Sequence, residues 1–125
     1  MTKKASEVIE ALRVVPPEIN KQTRELSGGN QQKIVLGKWL SSKFKIIIFD
    51  EPTRGIDVGA KAEIYNLIYK LAAEDCSIIM ISSELIELLG MCDRIVVMHR
   101  GKIMGELMQN EASEEKILKM AMNQK

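Results

Sequence analysis

Aromatic residues are scarce in this sequence, with one Trp, two Tyr and two Phe among 125 residues. So few rings argue against a stacking platform for nucleic-acid bases. A net charge of +1 gives no basic footprint for nucleic acid or an anionic membrane. We therefore expect no nucleic-acid partner.

Cysteine is equally scarce. Cys76 and Cys92 form no CxxC pair, and no His/Cys cluster accompanies them. This usage is typical of reduced thiols in an intracellular protein, although the sequence leaves a disulfide between them open.

Long apolar runs are also lacking. The most apolar stretches, 46–49 and 78–81, are far shorter than the ~20 residues of a membrane-spanning helix. The basic start, Met1 to Lys4, leads into no apolar signal-peptide core. We therefore expect a cytoplasmic protein whose membrane role, if any, depends on a partner.

The hydrophobic patterns predict strands alternating with helices. Helices are predicted over 6–13, after Gly29, from about Ala60, after Ser83 and after Ser113, and strands over 46–50, 77–81, 94–98 and 102–107. Because the first two strands do not alternate apolar with polar residues, we expect both of their faces to be buried. This order predicts an α/β fold with a mainly parallel sheet, flanking helices and a C-terminal β-hairpin.

Individual side chains carry further expectations. Ser83 is predicted to cap a short helix that Gly90 ends, and His99 to be an exposed turn residue. The inward faces of three helices are predicted to comprise Val35, Leu36, Trp39 and Leu40; Ile64, Leu67, Ile68, Leu71 and Ala72; and Ile117, Leu118 and Ala121. Most of Met80, Met91, Met98, Met104 and Met108 are expected to fill the core rather than form a binding surface.

The segment Ser27-Gly28-Gly29 leads directly into a helix. Unpaired N–H groups and the helix dipole at such a start suit a phosphate, and glycine permits a close approach. On these residues alone, a simpler reading is that Ser27 only caps the helix.

Asp50 and Glu51 end the first apolar strand. Ligands of open α/β sheets lie at the carboxyl ends of strands. One carboxylate there can hold Mg²⁺ while its neighbour polarises a water for attack on a phosphate. A solvated acidic loop is the alternative.

The two segments together resemble the ABC ATPase family. Residues 26–33 resemble its signature segment, 46–53 its Walker B strand with the catalytic glutamate, 55–57 its D-loop and 81–84 its switch segment. The variants at 30–33, 52–61 and 90–94 resemble the second ATPase half of tandem proteins that import ribose, galactose, xylose and related sugars. The resemblance covers roughly residues 20–122, and implies a single partial domain over 1–125, with the signature helix region at 20–45 and the remainder at 46–125.

The resemblance implies a role for each matching residue. It makes Glu51 catalytic and gives Mg²⁺ to Asp50, with ATP lying between two halves. The residues that it assigns to the nucleotide or the interface are Ser27, Gly28, Gly29, Gln31, Asp57 and Ser83. Implied partners are a second half with a Walker A loop, transmembrane permease subunits and, indirectly, a periplasmic sugar-binding protein, at the inner face of the membrane.

The sequence departs from the family in two places. It contains no G-x-x-x-x-G-K-[ST] segment, and Ser83 stands where most members have the switch histidine. We therefore expect a P-loop fold without its Walker A strand, no ATP hydrolysis by the chain alone, and unpaired strand edges that favour self-association. Two alternatives are a non-catalytic interaction module and the head of a DNA-repair or chromosome ATPase. The 26 residues before Ser27 contain Pro16-Pro17 rather than the heptads of such a head.

Overall fold

The computed structural model describes residues 28–40 and 44–122. The chain divides into two compact units, Met1–Ile81 and Ser82–Lys125. Ser27 and the helix predicted over 6–13 lie outside the described residues. The assignment of the whole chain to one partial domain stays a prediction.

The first unit is a parallel β-α-β arrangement preceded by a helix. Its elements are α1 (Gly28–Leu40), β1 (Ile46–Asp50), α2 (Val58–Ala73) and β2 (Ser77–Ile81). The two strands pair in parallel from Ile46 opposite Ser77 to Asp50 opposite Ile81. Because parallel strands end at the same edge of a sheet, the carboxyl ends of β1 and β2 lie side by side.

Helix α2 supplies most of the described core of this unit. Its buried residues are Ile64, Leu67, Ile68 and Leu71, the spacing of one helical face. Leu36 of α1 and Phe49 of β1 are also buried. Each such side chain contributes about 1.5–3 kcal/mol when removed from water. Ala72, predicted on the same face, is exposed, and the predicted inward positions of Trp39 and Leu40 fall outside the described side chains.

The prediction that both strands are buried on two faces is wrong for the described chain. Exposure alternates along β1 and β2. Ile48 is 62% exposed and its register partner Ile79 is 50% exposed, whereas Phe49 is only 7% exposed. Successive side chains of a strand point to opposite faces, so one face of the sheet packs inward and the other presents isoleucines.

The second unit is a β-hairpin with two helices. It comprises α3 (Leu85–Met91), β3 (Arg94–His99), β4 (Lys102–Met108) and α4 (Glu114–Ala121). The antiparallel register has an irregularity between Val97 and Met98. Arg100 and Gly101 both have positive φ, 47° and 78°, as the central residues of a type I′ hairpin turn require.

Alternating residues of the hairpin form the core of this unit. Ile95, Val97 and Leu107 are buried together with Ile117 of α4. Ser113 begins α4 by accepting a hydrogen bond from the Lys116 N–H at 3.3 Å, a typical N-cap.

Several side-chain predictions in the second unit are wrong. Leu118 is 47% exposed rather than inward. His99 is half-buried and is the last residue of β3 rather than an exposed turn residue. Among the methionines expected in the core, Met98 and Met108 are 60% and 48% exposed, because both occupy outward positions of the alternating hairpin.

The described strands form two separate two-stranded sheets, β1 with β2 and β3 with β4. Each described strand therefore has one hydrogen-bonded neighbour among the described residues. The α/β fold with a small parallel sheet and a C-terminal hairpin confirms the predicted class.

Both cysteines of the chain, Cys76 and Cys92, are free thiols without a disulfide bond. Burial, and then the neighbouring Asp93 carboxylate, raises the pKa of the Cys92 thiol, which keeps this cysteine a poor nucleophile. Within residues 28–40 and 44–122, no helix has the length and apolar character needed to cross a bilayer.

Candidate functional site

Two acidic residues occupy the carboxyl end of β1. Asp50 is the last residue of the strand, and its side chain is exposed. Glu51 is half-buried, and its N–H donates to the carbonyl oxygen of Ile81 at 2.8 Å. The parallel pairing therefore continues one residue past the strand and fixes the backbone at Glu51.

Glu51 has a left-handed backbone conformation with φ of 48°. A non-glycine residue in this region costs about 1–2 kcal/mol because its Cβ approaches a carbonyl oxygen. The Glu51 N–H is bound to Ile81, and the Glu51 carbonyl accepts from the Arg54 N–H at 3.2 Å. The second bond closes a turn with Pro52 in its second position. Strain held by surrounding bonds is typical of functional sites.

The loop after Glu51 is anchored by its own buried residues. Pro52 and Thr53 are fully buried. The Thr53 carbonyl accepts from the Ile56 N–H at 3.2 Å, and Gly55 between them has φ of 73°. A type II turn requires positive φ at this third position, which glycine adopts without steric cost.

Asp57 ends this loop and caps α2. Its Oδ1 accepts a hydrogen bond from the Ala60 N–H at 3.0 Å, and the residue itself is exposed. The N-cap bond satisfies one of the unpaired donors of the first helical turn. The structure thus shows a local role for Asp57, and the interface role implied by the resemblance stays a prediction.

The start of α1 is the predicted phosphate-facing segment. The helix begins at Gly28, which is exposed, and a Cβ built there would have no heavy atom within 4 Å. Gln31 is half-buried in the first turn. The N-terminal end of a 13-residue helix carries partial positive charge, so the described part of this segment can face an anion.

Ser83 lies in the second unit, in the connection between β2 and α3, and is exposed. It does not cap α3 as predicted, because the N-cap residue is Glu84. Gly90 does not end the helix either, since α3 continues to Met91. The hydroxyl that accepts the Glu84 N–H belongs to Ser82, at 3.0 Å.

Two side-chain interactions could not be foreseen from the motifs. Lys33 of α1 is buried and forms an ion pair with Glu63 of α2. Ser82 donates to the buried Glu87 of α3 at 2.8 Å. The only signal for Lys33 is its position three residues before the buried Leu36, on the same helical face.

The carboxylates fit a magnesium ion that is shared with a nucleotide. No cluster of three candidate metal ligands occurs among the described residues. Mg²⁺ commonly takes only one or two protein carboxylates and completes its shell with phosphate oxygens and water. Asp50, exposed at the carboxyl end of a parallel strand, fits this ligand set.

An apolar groove of about 360 Å³ lies beside Asp50, between α1 and β1. The side chains that line it are mainly aliphatic, with Gln32 and Asp50 as its polar members. A triphosphate needs converging N–H or cationic donors, so this groove does not substitute for a phosphate-binding loop.

Comparison with known proteins joins these features to a family. Residues 1–54 match the family described as ABC transporter. Over 121 residues, 96% of the chain, the sequence is 54% identical to the arabinose import ATP-binding protein AraG of Paraburkholderia xenovorans. Over nearly its whole length the chain is therefore similar to ATP-binding proteins of ABC transporters.

A second relative supports the same assignment. The chain is 48% identical over 121 residues to the ribose import ATP-binding protein RbsA 1 of Rubrobacter xylanophilus, a match that covers 97% of this chain. These matches cover 23% and 24% of the two relatives. The chain therefore spans about a quarter of the length of these curated relatives.

A solved structure shows the same fold. MJ1267, an ATP-binding cassette of an ABC transporter crystallised in its ADP conformation, superposes with a TM-score of 0.78 at 27% identity. The match covers 98% of this chain and 50% of that cassette.

Proposed function

We propose that this chain is the ATP-hydrolysing, energy-coupling part of a transporter that imports a sugar. The relatives named for arabinose and ribose import support the substrate class. The observation that carries the proposal is the adjacent Asp50–Glu51 pair at the carboxyl end of a parallel strand, with Glu51 held in a left-handed conformation.

In this proposal the two carboxylates have different tasks. Asp50, exposed on the strand, would hold Mg²⁺, which would supply positive charge beside the phosphates. Glu51 accepts a proton from the attacking water, and its fixed backbone orients the carboxylate toward that water. Asp50 and Glu51 differ in exposure and backbone conformation, which supports separate roles.

The start of α1 acts on a nucleotide held across an interface with a second half. Ser27, Gly28, Gly29 and Gln31 contact the terminal phosphate through N–H groups and side-chain donors. Asp57 connects the two sites, and Ser83 donates a hydrogen bond to the phosphate without supplying positive charge. The missing charge at residue 83 predicts slower hydrolysis than a histidine would give.

The proposed partners follow from the relatives named for sugar import. A second nucleotide-binding half with a G-x-x-x-x-G-K-[ST] loop faces the start of α1. Transmembrane permease subunits and a periplasmic sugar-binding protein complete the transporter. The chain then works on the cytoplasmic side, at the inner face of the membrane.

Calorimetry with Mg-ATP tests the proposal, followed by turnover assays after a complementary Walker A-bearing half is added. We expect no saturable heat from the chain alone at millimolar ATP. With the added half, Glu51→Gln should lower turnover by about 10²–10⁴-fold, the usual worth of a general base. Glu74→Gln, which changes an exposed acid at the end of α2, is the matched control and should leave turnover unchanged. Saturable ATP binding by the chain alone would contradict the division of the site between two halves.

A second candidate is a non-catalytic module that only docks on a partner, favoured by Ser83 at the position of the switch histidine. The same assays separate the candidates. ATP binding without turnover in the mixture, with Glu51→Gln indistinguishable from the unaltered chain, would favour the module.

A further inference from the structure

The hydroxyl of Ser82 has two hydrogen-bond partners. It donates to Glu87 Oε2 at 2.8 Å and accepts from the Glu84 N–H at 3.0 Å. A serine hydroxyl has one proton to donate and lone pairs that accept, so the two bonds are compatible. Ser82 therefore links the connection after β2 to the first turn of α3.

Glu87 anchors this link because its side chain is buried. It is the third residue of α3 and is only 5% exposed. A buried carboxylate is costly without hydrogen-bond donors, and a hydroxyl-to-carboxylate bond is among the stronger ones. If Ser82 moved away, the buried Glu87 carboxylate would lose a hydrogen-bond donor. This cost holds Ser82 in its position.

Ser83 lies between the two residues that this link joins. The Ser82 side chain closes a small ring through the Glu84 N–H, and the backbone of residue 83 forms part of that ring. Glu84, the N-cap of α3, makes no side-chain capping bond, and its own N–H donates to the Ser82 hydroxyl. The Ser83 side chain is left exposed.

We propose that Ser82 and Glu87 are positioning residues that hold Ser83 in place for contact with the terminal phosphate. This inference rests on the proposed function for its final step, whereas the link itself does not. Two adjacent serines then have separate tasks, one structural and one directed at the ligand. Neither Ser82 nor Glu87 touches the nucleotide.

Amide hydrogen exchange on the full chain tests the link without any nucleotide. Ser82→Ala and Glu87→Leu should speed exchange of the Glu84 amide by about fivefold to tenfold, the equivalent of one lost hydrogen bond. Ser82→Thr and Glu87→Gln retain a hydroxyl and a carbonyl acceptor, so they should restore slow exchange. Ser83→Ala, the same change one residue along, should leave the Glu84 amide as protected as in the unaltered chain.

Turnover in the mixture with the Walker A-bearing half tests the consequence. Ser82→Ala and Glu87→Leu should lower kcat severalfold, with rescue by Ser82→Thr and Glu87→Gln. Unchanged Glu84 exchange in Ser82→Ala would overturn the link whatever the turnover. Faster exchange of the Glu84 amide in Ser82→Ala with normal turnover, in a mixture that Glu51→Gln still inactivates, would overturn the positioning role. If the Glu84 amide exchanges faster but no mixture hydrolyses ATP, the proposed function is overturned and only the hydrogen-bonded link remains.

Discussion

Backbone conformation at single residues determines how the candidate site presents its groups. Glu51 and Asp75 both have left-handed conformations, with φ of 48° and 59°. Asp75 lies in the turn between α2 and β2, away from the motif residues. The left-handed conformation should lower the stability of the fold at both positions, whereas we propose a functional role only for Glu51.

Substitution by glycine or alanine isolates this cost. Both remove the side chain, so their difference reports the backbone alone. We expect Glu51→Gly to be about 1 kcal/mol more stable than Glu51→Ala. Asp75→Gly should be more stable than Asp75→Ala by a similar free energy of unfolding. Urea unfolding of the four variants measures these differences.

Lys70 provides a control of opposite sign. Lys70 is exposed in the last turn of α2, so its φ is that of a right-handed helix. Lys70→Gly should therefore be about 1 kcal/mol less stable than Lys70→Ala. If Glu51→Ala were as stable as Glu51→Gly while Lys70 behaved as stated, the left-handed conformation at residue 51 would carry no cost.

Between elements, a buried cation joins the two helices that bear the motif segments. The Lys33 side chain is 6% exposed and its partner Glu63 is 44% exposed. Lys33 lies five residues after Gly28 on α1, and Glu63 six residues after Asp57 on α2. The ion pair therefore connects the second turns of the two helices, one turn after Gly28 and Asp57.

Removing Glu63 alone should cost more than removing both partners of this pair, because Lys33 is the buried one. Glu63→Ala leaves the Lys33 charge buried and should destabilise the unit by about 1–2 kcal/mol, reduced from the fully buried value by the exposure of Glu63. Lys33→Met keeps the length of the side chain without its charge and should cost less. Equilibrium unfolding of the single and double variants forms a cycle. A double variant whose loss equals the sum of the single losses would show that the two side chains do not interact.

The existence and order of the elements could be predicted from the sequence, because hydrophobic period and turn residues are local. The spacing of Ile64, Leu67, Ile68 and Leu71 predicts the buried face of α2, and Arg100-Gly101 predicts the hairpin turn. The exposure of Ile48 and Ile79 could not be predicted, because it depends on which elements cover the sheet. The same apolar run suits a strand covered on both faces.

The candidate site stays a prediction from the motifs, which single out Asp50, Glu51 and Asp57 because of their order along the chain. Their surroundings could not be predicted. The left-handed conformation of Glu51 depends on its bond to Ile81, 30 residues away. The bond from the Ser82 hydroxyl to Glu87 joins side chains five residues apart. These contacts are set by packing, and no local pattern distinguishes two adjacent serines.

On the scale of the whole molecule, the first unit exposes one apolar face of a two-stranded sheet. Ile46, Ile48, Ile79 and Ile81 are between 49% and 62% exposed, and they alternate with the inward residues of both strands. Each strand also has an edge without a described hydrogen-bonded neighbour. Exposed apolar faces beside open edges favour association with a second copy of the chain.

We expect the purified chain to self-associate as its concentration rises, with Ile79→Lys weakening this association. Burial of one large aliphatic side chain contributes about 1.5–3 kcal/mol. Its loss should raise the concentration for half-association by at least about tenfold. Light scattering and sedimentation across a concentration series measure the shift.

Ile86→Lys is the matched control, since Ile86 is 77% exposed on α3 of the second unit and should not contribute. An equal effect of both substitutions would assign the association to general hydrophobicity rather than to the sheet face. A monodisperse monomer at high concentration would mean that the isoleucine face does not bind a second copy, and that these strand edges are protected without a partner.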